Sequence, residues 1–287
     1  LGAFYVNPLK FFLQNRLGIF LAKEEDLLED SENFRLKGLE GYKTGQESFY
    51  FGIQGNRTEE MMTLFKARGV LPPGRVGEHD YAEISLEAGD FVSRVKAWTN
   101  GAAPQDKTIC LQLGDFYING CLPDVYDHGM IHVRFAKFNP KDLVRCWITH
   151  LQLCAADPNG SKKHSAYLAR DMSVVYEHVD DCRDILEHLL HSYWEGLSTP
   201  LSFYPKSAYA YARARLEQKK TQKAALGEAI AVMQGSQYKS GEIEEPYMNF
   251  YFDDTSPLDE AFEHMALYFF EPLFKHHTSK AFTPRLQ

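Results

Sequence analysis

The stretch INGCLPDVYDHGMIHVRFAKFN, Ile118–Asn139, decides which fold the sequence predicts. Alternating apolar and polar residues on both sides of Asp127-His128-Gly129 predict two antiparallel strands joined by a tight turn. The segment KTICLQL, 107–113, alternates in the same way and is separated from this stretch by Gly114-Asp115. Together these segments predict a three-stranded antiparallel meander. Asn139-Pro140 is a helix-starting pair, so a helix should follow the third strand directly.

Helical periodicity dominates the chain before the meander. Asn7-Pro8 starts an amphipathic pattern that predicts a helix to about Ala22, with Leu17 and Phe20 on its core face. The later predictions are an acidic solvated loop at 23–35, helices around 42–51 and 58–68, a turn-rich connection at 69–78, and a long helix from about Tyr81 that ends before Asn100-Gly101.

A strand pair and three helices are predicted beyond the meander and the helix that follows it. The pair is SAYLAR, 165–170, and MSVVYEHV, 172–179. The helices are one capped by Asp180 and closed by Gly196, one from about Lys206 to Ala225, and one from Pro257 to Phe274. This order of elements predicts an α/β structure of the α+β type.

Composition places the chain among ordinary globular proteins of the cytoplasm. Of its 287 residues, 44% are apolar and 24% are charged, and the apolar run at 11–22 is broken by polar residues, so we expect no membrane helix and no signal peptide. The net charge of −8 repels a polyanion such as nucleic acid from the surface as a whole. A local basic groove is compatible with this net charge. The sequence contains no phosphate-binding loop of the ATPase type. We therefore expect that any ATP-driven motor activity belongs to partner proteins.

The five cysteines lack any C-x-x-C pair. They are scattered along the chain and are predicted to be buried free thiols of a reducing compartment, forming neither a disulfide nor an iron-sulfur cluster: Cys110, Cys121, Cys146, Cys154 and Cys182.

The meander and its flanking helices match the core layout of restriction-endonuclease-like, or PD-(D/E)XK, nucleases. In nucleases of the RecB and AddB type, the second strand carries G-x-[IL]-D and the third carries D-x-K. This sequence has Gly120-Cys121-Leu122-Pro123 and His132-Val133-Arg134 at those places.

Metal-dependent phosphodiester cleavage needs carboxylates that hold Mg²⁺ and a lysine that orients the attacking water. Pro123 offers no ligand, His132 suits softer metals, and Arg134 stays protonated. The sequence therefore predicts a degenerate active site and no catalytic residue. The alternative is an active nuclease in which Asp124 replaces the missing aspartate in a shifted register, and it requires a bulge that re-aims the carboxylate.

The surrounding chain resembles the C-terminal domain of the RecC family. The resemblance rests on the order and spacing of pieces that span nearly the whole chain: NPLKFFLQNRLGIFL, LEGYKTGQESFYF, LFKARGVLPPGRVGE, INGCLPDVYDHG, DLVRCWITHLQLCA and YWEGLSTPLSFYPKSA.

The resemblance implies an inactivated nuclease-like domain, not an enzyme, in the gamma subunit of a RecBCD-type exodeoxyribonuclease V. It implies helicase and helicase-nuclease subunits as partners, contact with double-stranded and single-stranded DNA within the complex, and no cofactor. We expect one nuclease-like domain over 1–287, cut from a longer chain, with a helical part at 1–105, the meander and core at 106–200, and C-terminal helices at 201–287.

Three weaker constellations have simpler structural explanations. His188, His191 and Glu195 share a helical face that could hold zinc or could be a solvated polar stripe. A basic run could contact DNA phosphates or could be a solvated face: Arg213, Arg215, Lys219, Lys220 and Lys223. An aromatic series could stack bases or could belong to the core or an interface: Tyr204, Tyr209, Tyr211, Tyr251 and Phe252.

Overall fold

A single mixed sheet organises the computed structural model, which describes residues 1–21, 35–36, 38–157, 163–252 and 257–282. The sheet has six strands in the order β1-β2-β3-β4-β5-β8. Its strands are β1 Gln105–Leu113, β2 Phe116–Tyr126, β3 Gly129–Val133, β4 Ser165–Leu168, β5 Met172–Tyr176 and β8 His277–Ala281. β3 and β4 run parallel, and every other neighbouring pair in the sheet is antiparallel.

The helices lie before, between and after these strands. They are α1 Gly2–Val6, α2 Pro8–Asn15, α3 Gly38–Ile53, a 3-10 helix Thr58–Glu60, α4 Met61–Ala67, α5 Arg75–Thr99, α6 Pro140–Ala155, α7 Cys182–Gly196, α8 Pro205–Leu216, α9 Gln222–Gln234, α10 Pro246–Tyr251 and α11 Glu260–Lys275. A short hairpin, β6 Gly235–Ser236 and β7 Lys239–Ser240, follows α9. In the ranges that the structure describes, none of the helices is long and apolar enough to cross a bilayer.

Both faces of the sheet are covered, which makes three layers. Tyr167 of β4 packs into the larger core with Trp147 of α6, while Ala166 and Leu168 face the other way into a second core. That second core contains Phe91 of α5. All four residues of β4 are buried, as expected for a central strand that is covered on both sides.

The meander, the strand pair and the helix start at Asn139 are confirmed. The Asn139 side chain accepts a hydrogen bond from the backbone N–H of Lys141, and Asn7 accepts one from Lys10 in the same way. The end of the long helix is also confirmed, because Asn100 adopts the left-handed conformation directly after α5. These features depend on residues that are close in sequence, which is why their patterns were readable.

The first predicted helix is too long. α2 ends at Asn15, and the chain turns at Gly18, whose φ is +67°. Leu17 and Phe20 are 55% and 72% exposed, so the prediction that they line the core is wrong. The predicted acidic loop at 23–35 lies outside the described residues except for Arg35.

Three other boundaries differ from the predictions. The predicted helix from Lys206 to Ala225 is two helices, because the chain turns between Leu216 and Gln222 with Lys219 at φ +55°. The N-cap residue of α7 is Asp181 rather than Asp180, and its side chain makes no capping bond. The connection predicted at 69–78 is helical from its seventh residue, since α5 begins at Arg75.

The cysteines divide into two groups. All five are free thiols, and Cys146, Cys154 and Cys182 are buried. Cys110 and Cys121 are exposed, so the prediction that they are buried is wrong. Both lie on the β1–β2 ribbon, where alternation points every second side chain away from the core.

Candidate functional site

Two of the three positions that the sequence predicts to be a degenerate nuclease motif border an open cavity of about 460 Å³ between β3, α3 and the start of α6. His132 and Arg134 line this cavity together with Asp142 and Arg145 of α6 and Tyr42 of α3. Pro123 is exposed on β2 and is not one of the lining residues. The structure therefore brings two of the three predicted positions to one place.

An ion pair lies in this cavity. The guanidinium of Arg134 donates a hydrogen bond to the carboxylate of Asp142, which is buried in the first turn of α6. Burial alone would lower the pKa of Arg134, but the hydrogen bond and the charge of Asp142 raise it overall. Asp142, the only carboxylate among the described residues that line this cavity, is thus neutralised by a cation that cannot lose its proton at ordinary pH.

The surroundings of His132 favour its uncharged form. Burial lowers its pKa, while the charge of Asp142 opposes that effect and those of Arg145 and Arg134 add to it. The ring lies 5.7 Å from the Tyr167 ring, measured between centroids. An uncharged imidazole next to an occupied carboxylate supplies no second oxygen ligand for Mg²⁺.

A second carboxylate near the cavity is also taken up by cations. Glu245 accepts from the Lys141 ammonium at 2.6 and 2.7 Å and from Lys206 at 2.9 Å. Burial raises the pKa of Glu245, but the charges and hydrogen bonds of the two lysines lower it overall. Glu245 therefore connects α6 to α8.

Asp124 lies in a β-bulge. The β1–β2 register shifts between Gln105 and Lys107, opposite Pro123 and Asp124, and Asp124 has a φ of +55°. Its side chain is exposed. Among the described residues, no three His, Cys, Asp or Glu side chains form a group that could hold a metal ion.

The predicted basic run is dispersed by the turn between α8 and α9. Arg213 forms an ion pair with Glu217 at 3.3 Å, Lys220 pairs with Glu228, and Arg215 donates to the Lys220 carbonyl. Lys219 lies in the turn, and Lys223 lies in the first turn of α9. Only Arg213 of this run borders the cavity that lies between α8, α9 and the β6–β7 hairpin.

A second cavity, of about 650 Å³, lies between α8, α9, the segment 137–140 and the β6–β7 hairpin. Four cationic side chains border it, and one carboxylate, Glu228, does so as well; the cations are Lys137, Lys206, Arg213 and Lys239. Sequence reasoning missed three of these four, because they come from different elements. We call this cavity the basic groove.

The other constellations are distributed as follows. His191 lies 4.0 Å from Glu187, and the His188 ring contacts Tyr268. Tyr204 and Tyr211 are buried against Phe262, so their rings belong to the core. Tyr251 is partly exposed and contacts Phe252 edge to face at 4.9 Å, and Tyr209 lines the basic groove.

Comparison with known families identifies the kind of domain. The model of the RecC C-terminal domain matches residues 1–216. The chain belongs to the RecC C-terminal domain family. It is similar to the RecBCD enzyme subunit RecC of Escherichia coli (strain K12), with 26% identity over 290 aligned positions, 97% of this chain and 26% of that protein.

Two further members of the family are similar over shorter stretches. The RecBCD enzyme subunit RecC of Mycobacterium tuberculosis (strain CDC 1551 / Oshkosh) is 27% identical over 74% of this chain and 20% of its own length. That of Haemophilus influenzae is 28% identical over 55% of this chain and 15% of its own length. The chain thus spans about a quarter, or less, of the RecC proteins that it matches.

Proposed function

We propose that this chain is a non-catalytic, nuclease-like domain of the gamma subunit of a RecBCD-type exodeoxyribonuclease V. In this role it contributes to subunit assembly and to guiding or splitting DNA during double-strand-break repair and recombination. We further propose that 1–287 is one domain with a restriction-endonuclease-like core. The membership in the RecC C-terminal domain family supports the first part of this proposal.

The order of elements supports the nuclease-like core. α5 precedes the β1–β2–β3 meander, α6 follows it, and β4 then joins the sheet parallel to β3. The same order of helix, meander, helix and strand is the layout expected for that core. Fold alone carries no activity, so the role has to be argued from the site.

The ion pair between Arg134 and Asp142 is the main observation that supports a non-catalytic domain. A hydrolytic site for phosphodiesters keeps its carboxylates free for hard metal ions. Here the buried carboxylate of Asp142 is held by Arg134, and burial lowers the pKa of the neighbouring His132. The arrangement stabilises the junction of β3 and α6 in place of binding metal.

The purified chain is expected not to cleave labelled duplex or single-stranded DNA in the presence of Mg²⁺ or Mn²⁺. A gel assay over a range of metal concentrations measures this. The matched variants are Asp124→Ala, which removes the carboxylate in the bulge, and Asp115→Ala, which removes an exposed carboxylate at the β1–β2 turn. Cleavage that Asp124→Ala abolishes and Asp115→Ala leaves intact would establish the active-nuclease alternative.

The partners of the domain are proposed to be proteins first and DNA second. Because the net charge is −8, the surface as a whole displaces few counterions from DNA, and counterion release contributes little free energy to DNA binding. Large exposed side chains such as Trp194 and Tyr117, which are 63% and 64% exposed, are typical of protein interfaces.

We expect the chain to bind a helicase subunit of its complex more tightly than forked DNA at physiological salt. Fluorescence titration of the labelled chain against each partner measures the two affinities. Nanomolar binding to the fork together with undetectable binding to both helicase subunits would reverse the proposed order of partners.

A further inference from the structure

The basic groove is a local exception on an acidic chain. Its lining carries four cations against one carboxylate, whereas the chain as a whole has a net charge of −8. The carboxylate of Glu228 is itself engaged by Lys220. An anion approaching this groove therefore meets a positive field that the average charge of the protein does not suggest.

Two of the four cations have no counter-ion among the residues that the structure describes. Lys206 pairs with Glu245, and Arg213 pairs with Glu217. The exposed side chains of Lys137 and Lys239 make no hydrogen bond or ion pair with any residue that the structure describes. They come from two different parts of the lining, the segment after β3 and the β6–β7 hairpin.

The groove also offers aromatic surface. Phe138 and Tyr209 both line it, both are half-buried, and their ring centroids lie 5.3 Å apart. Tyr209 is held by contacts with Phe270 and Phe274 of α11, so the aromatic surface is supported from behind. A bare anion gains nothing from this surface, while an aromatic base does.

We propose that the basic groove binds a nucleotide unit, with its base against Phe138 and Tyr209 and its phosphate between Lys137, Lys239 and Arg213. The volume of about 650 Å³ is within the usual range for small-ligand sites and accommodates one such unit. The inference deepens the DNA-guiding role proposed above and rests on it only for the choice of a nucleic-acid ligand. The ligand chemistry is the same for a single strand and for a free nucleotide.

The test is the binding of a fluorescent thymidine oligonucleotide to the 287-residue chain in EDTA at several salt concentrations. The double variant Lys137→Glu/Lys239→Glu is expected to bind about tenfold more weakly or worse. A plot of the logarithm of its binding constant against the logarithm of the salt concentration should be shallower, with a slope smaller by about two. The control is Lys219→Glu/Lys223→Glu, which makes the same change of charge at two exposed lysines that do not line the groove. Equal urea midpoints for both variants establish that folding is unchanged.

Competition identifies the source of the ligand. Displacement of the oligonucleotide by thymidine monophosphate at similar concentration indicates a free nucleotide, and its failure indicates a strand. Equal weakening by the two double variants, or equally good competition by an acidic peptide, would overturn the proposal, because binding would then follow net charge alone. The EDTA excludes metal-dependent cleavage, so this outcome is independent of the test for catalysis.

Discussion

Replacing Glu242 by alanine is expected to lower the free energy of unfolding by about 3 to 5 kcal/mol. The carboxylate of Glu242 is buried at the start of α8, where it accepts from the backbone N–H groups of Lys206 and Ser207 at 3.1 and 2.8 Å and from the Ser207 hydroxyl at 2.9 Å. The first N–H groups of a helix have no partner within the helix. Alanine would leave two buried donors of Ser207 and the part-buried N–H of Lys206 without this acceptor.

Urea denaturation of the parent chain and two variants measures this effect. Glu244→Ala is the matched control, because Glu244 lies two residues away, is exposed and accepts one hydrogen bond from Gly241. We expect the control to change the free energy of unfolding by about 1 kcal/mol or less. Similar losses for the two variants would show that the carboxylate of Glu242 does not hold α8 in place.

Acidification from pH 7 to pH 4 is expected to remove about 3 kcal/mol of stability through His150 alone. The ring is fully buried, with Nε2 2.8 Å from the Glu177 carbonyl and Nδ1 2.8 Å from the Ser165 hydroxyl. The carbonyl can only accept, so Nε2 carries the proton and Nδ1 accepts from Ser165. The Ser165 oxygen in turn accepts from the Met130 N–H.

The sign of the effect follows from the two pKa values. Burial lowers the pKa of His150 to about 4 in the folded state, against 6.5 for an exposed histidine. Between these values the unfolded chain binds the extra proton and the folded chain does not, so stability is full above pH 6.5 and is lost as the pH falls toward 4.

Urea midpoints at a series of pH values measure the dependence. His150→Gln is expected to flatten the slope between pH 6.5 and 4, even though it lowers stability at neutral pH. The same substitution at His79, whose side chain is 67% exposed, is the control for a histidine at the protein surface. A slope that persists in His150→Gln would assign the acid sensitivity to other groups.

The features of the fold that could be predicted are those specified by residues close to one another in the sequence. Asn139-Pro140 specifies a helix start within four residues, and the turn at Asp127-His128-Gly129 specifies its strand pairing in the same way. Leu17 and Phe20 fit an apolar helical stripe equally well, yet the chain has already left the helix there. The periodicity of apolar residues shows which face of a helix is apolar. It does not show where the surface that this face packs against ends, and so it does not show where the helix ends.

The sites were harder to predict, because their residues meet only in the folded chain. The prediction of a degenerate nuclease motif came from local residues such as His132 and Arg134, but nothing in the sequence pairs Arg134 with Asp142, which lies on the following helix. The basic groove joins Lys137 to Lys206 and Lys239, and none of these belongs to a local basic run. The basic run that the sequence does show, at 213–223, predicted the wrong residues for this groove, because only Arg213 of that run lines it.

The last strand of the sheet has a consequence for how the protein is made. β8 pairs with β5, yet about 100 residues separate the two strands, and synthesis at about 5–20 residues per second takes roughly 5 to 20 s to cover them. During that interval β5 is an open edge on the nascent chain, with unpaired N–H and C=O groups that another strand could join. The segment HTSKA is polar and exposed along most of its length, so its contribution is to close this edge rather than to fill the core. Ribosome-bound chains that stop short of His277 should therefore be the ones that recruit chaperones or associate with each other.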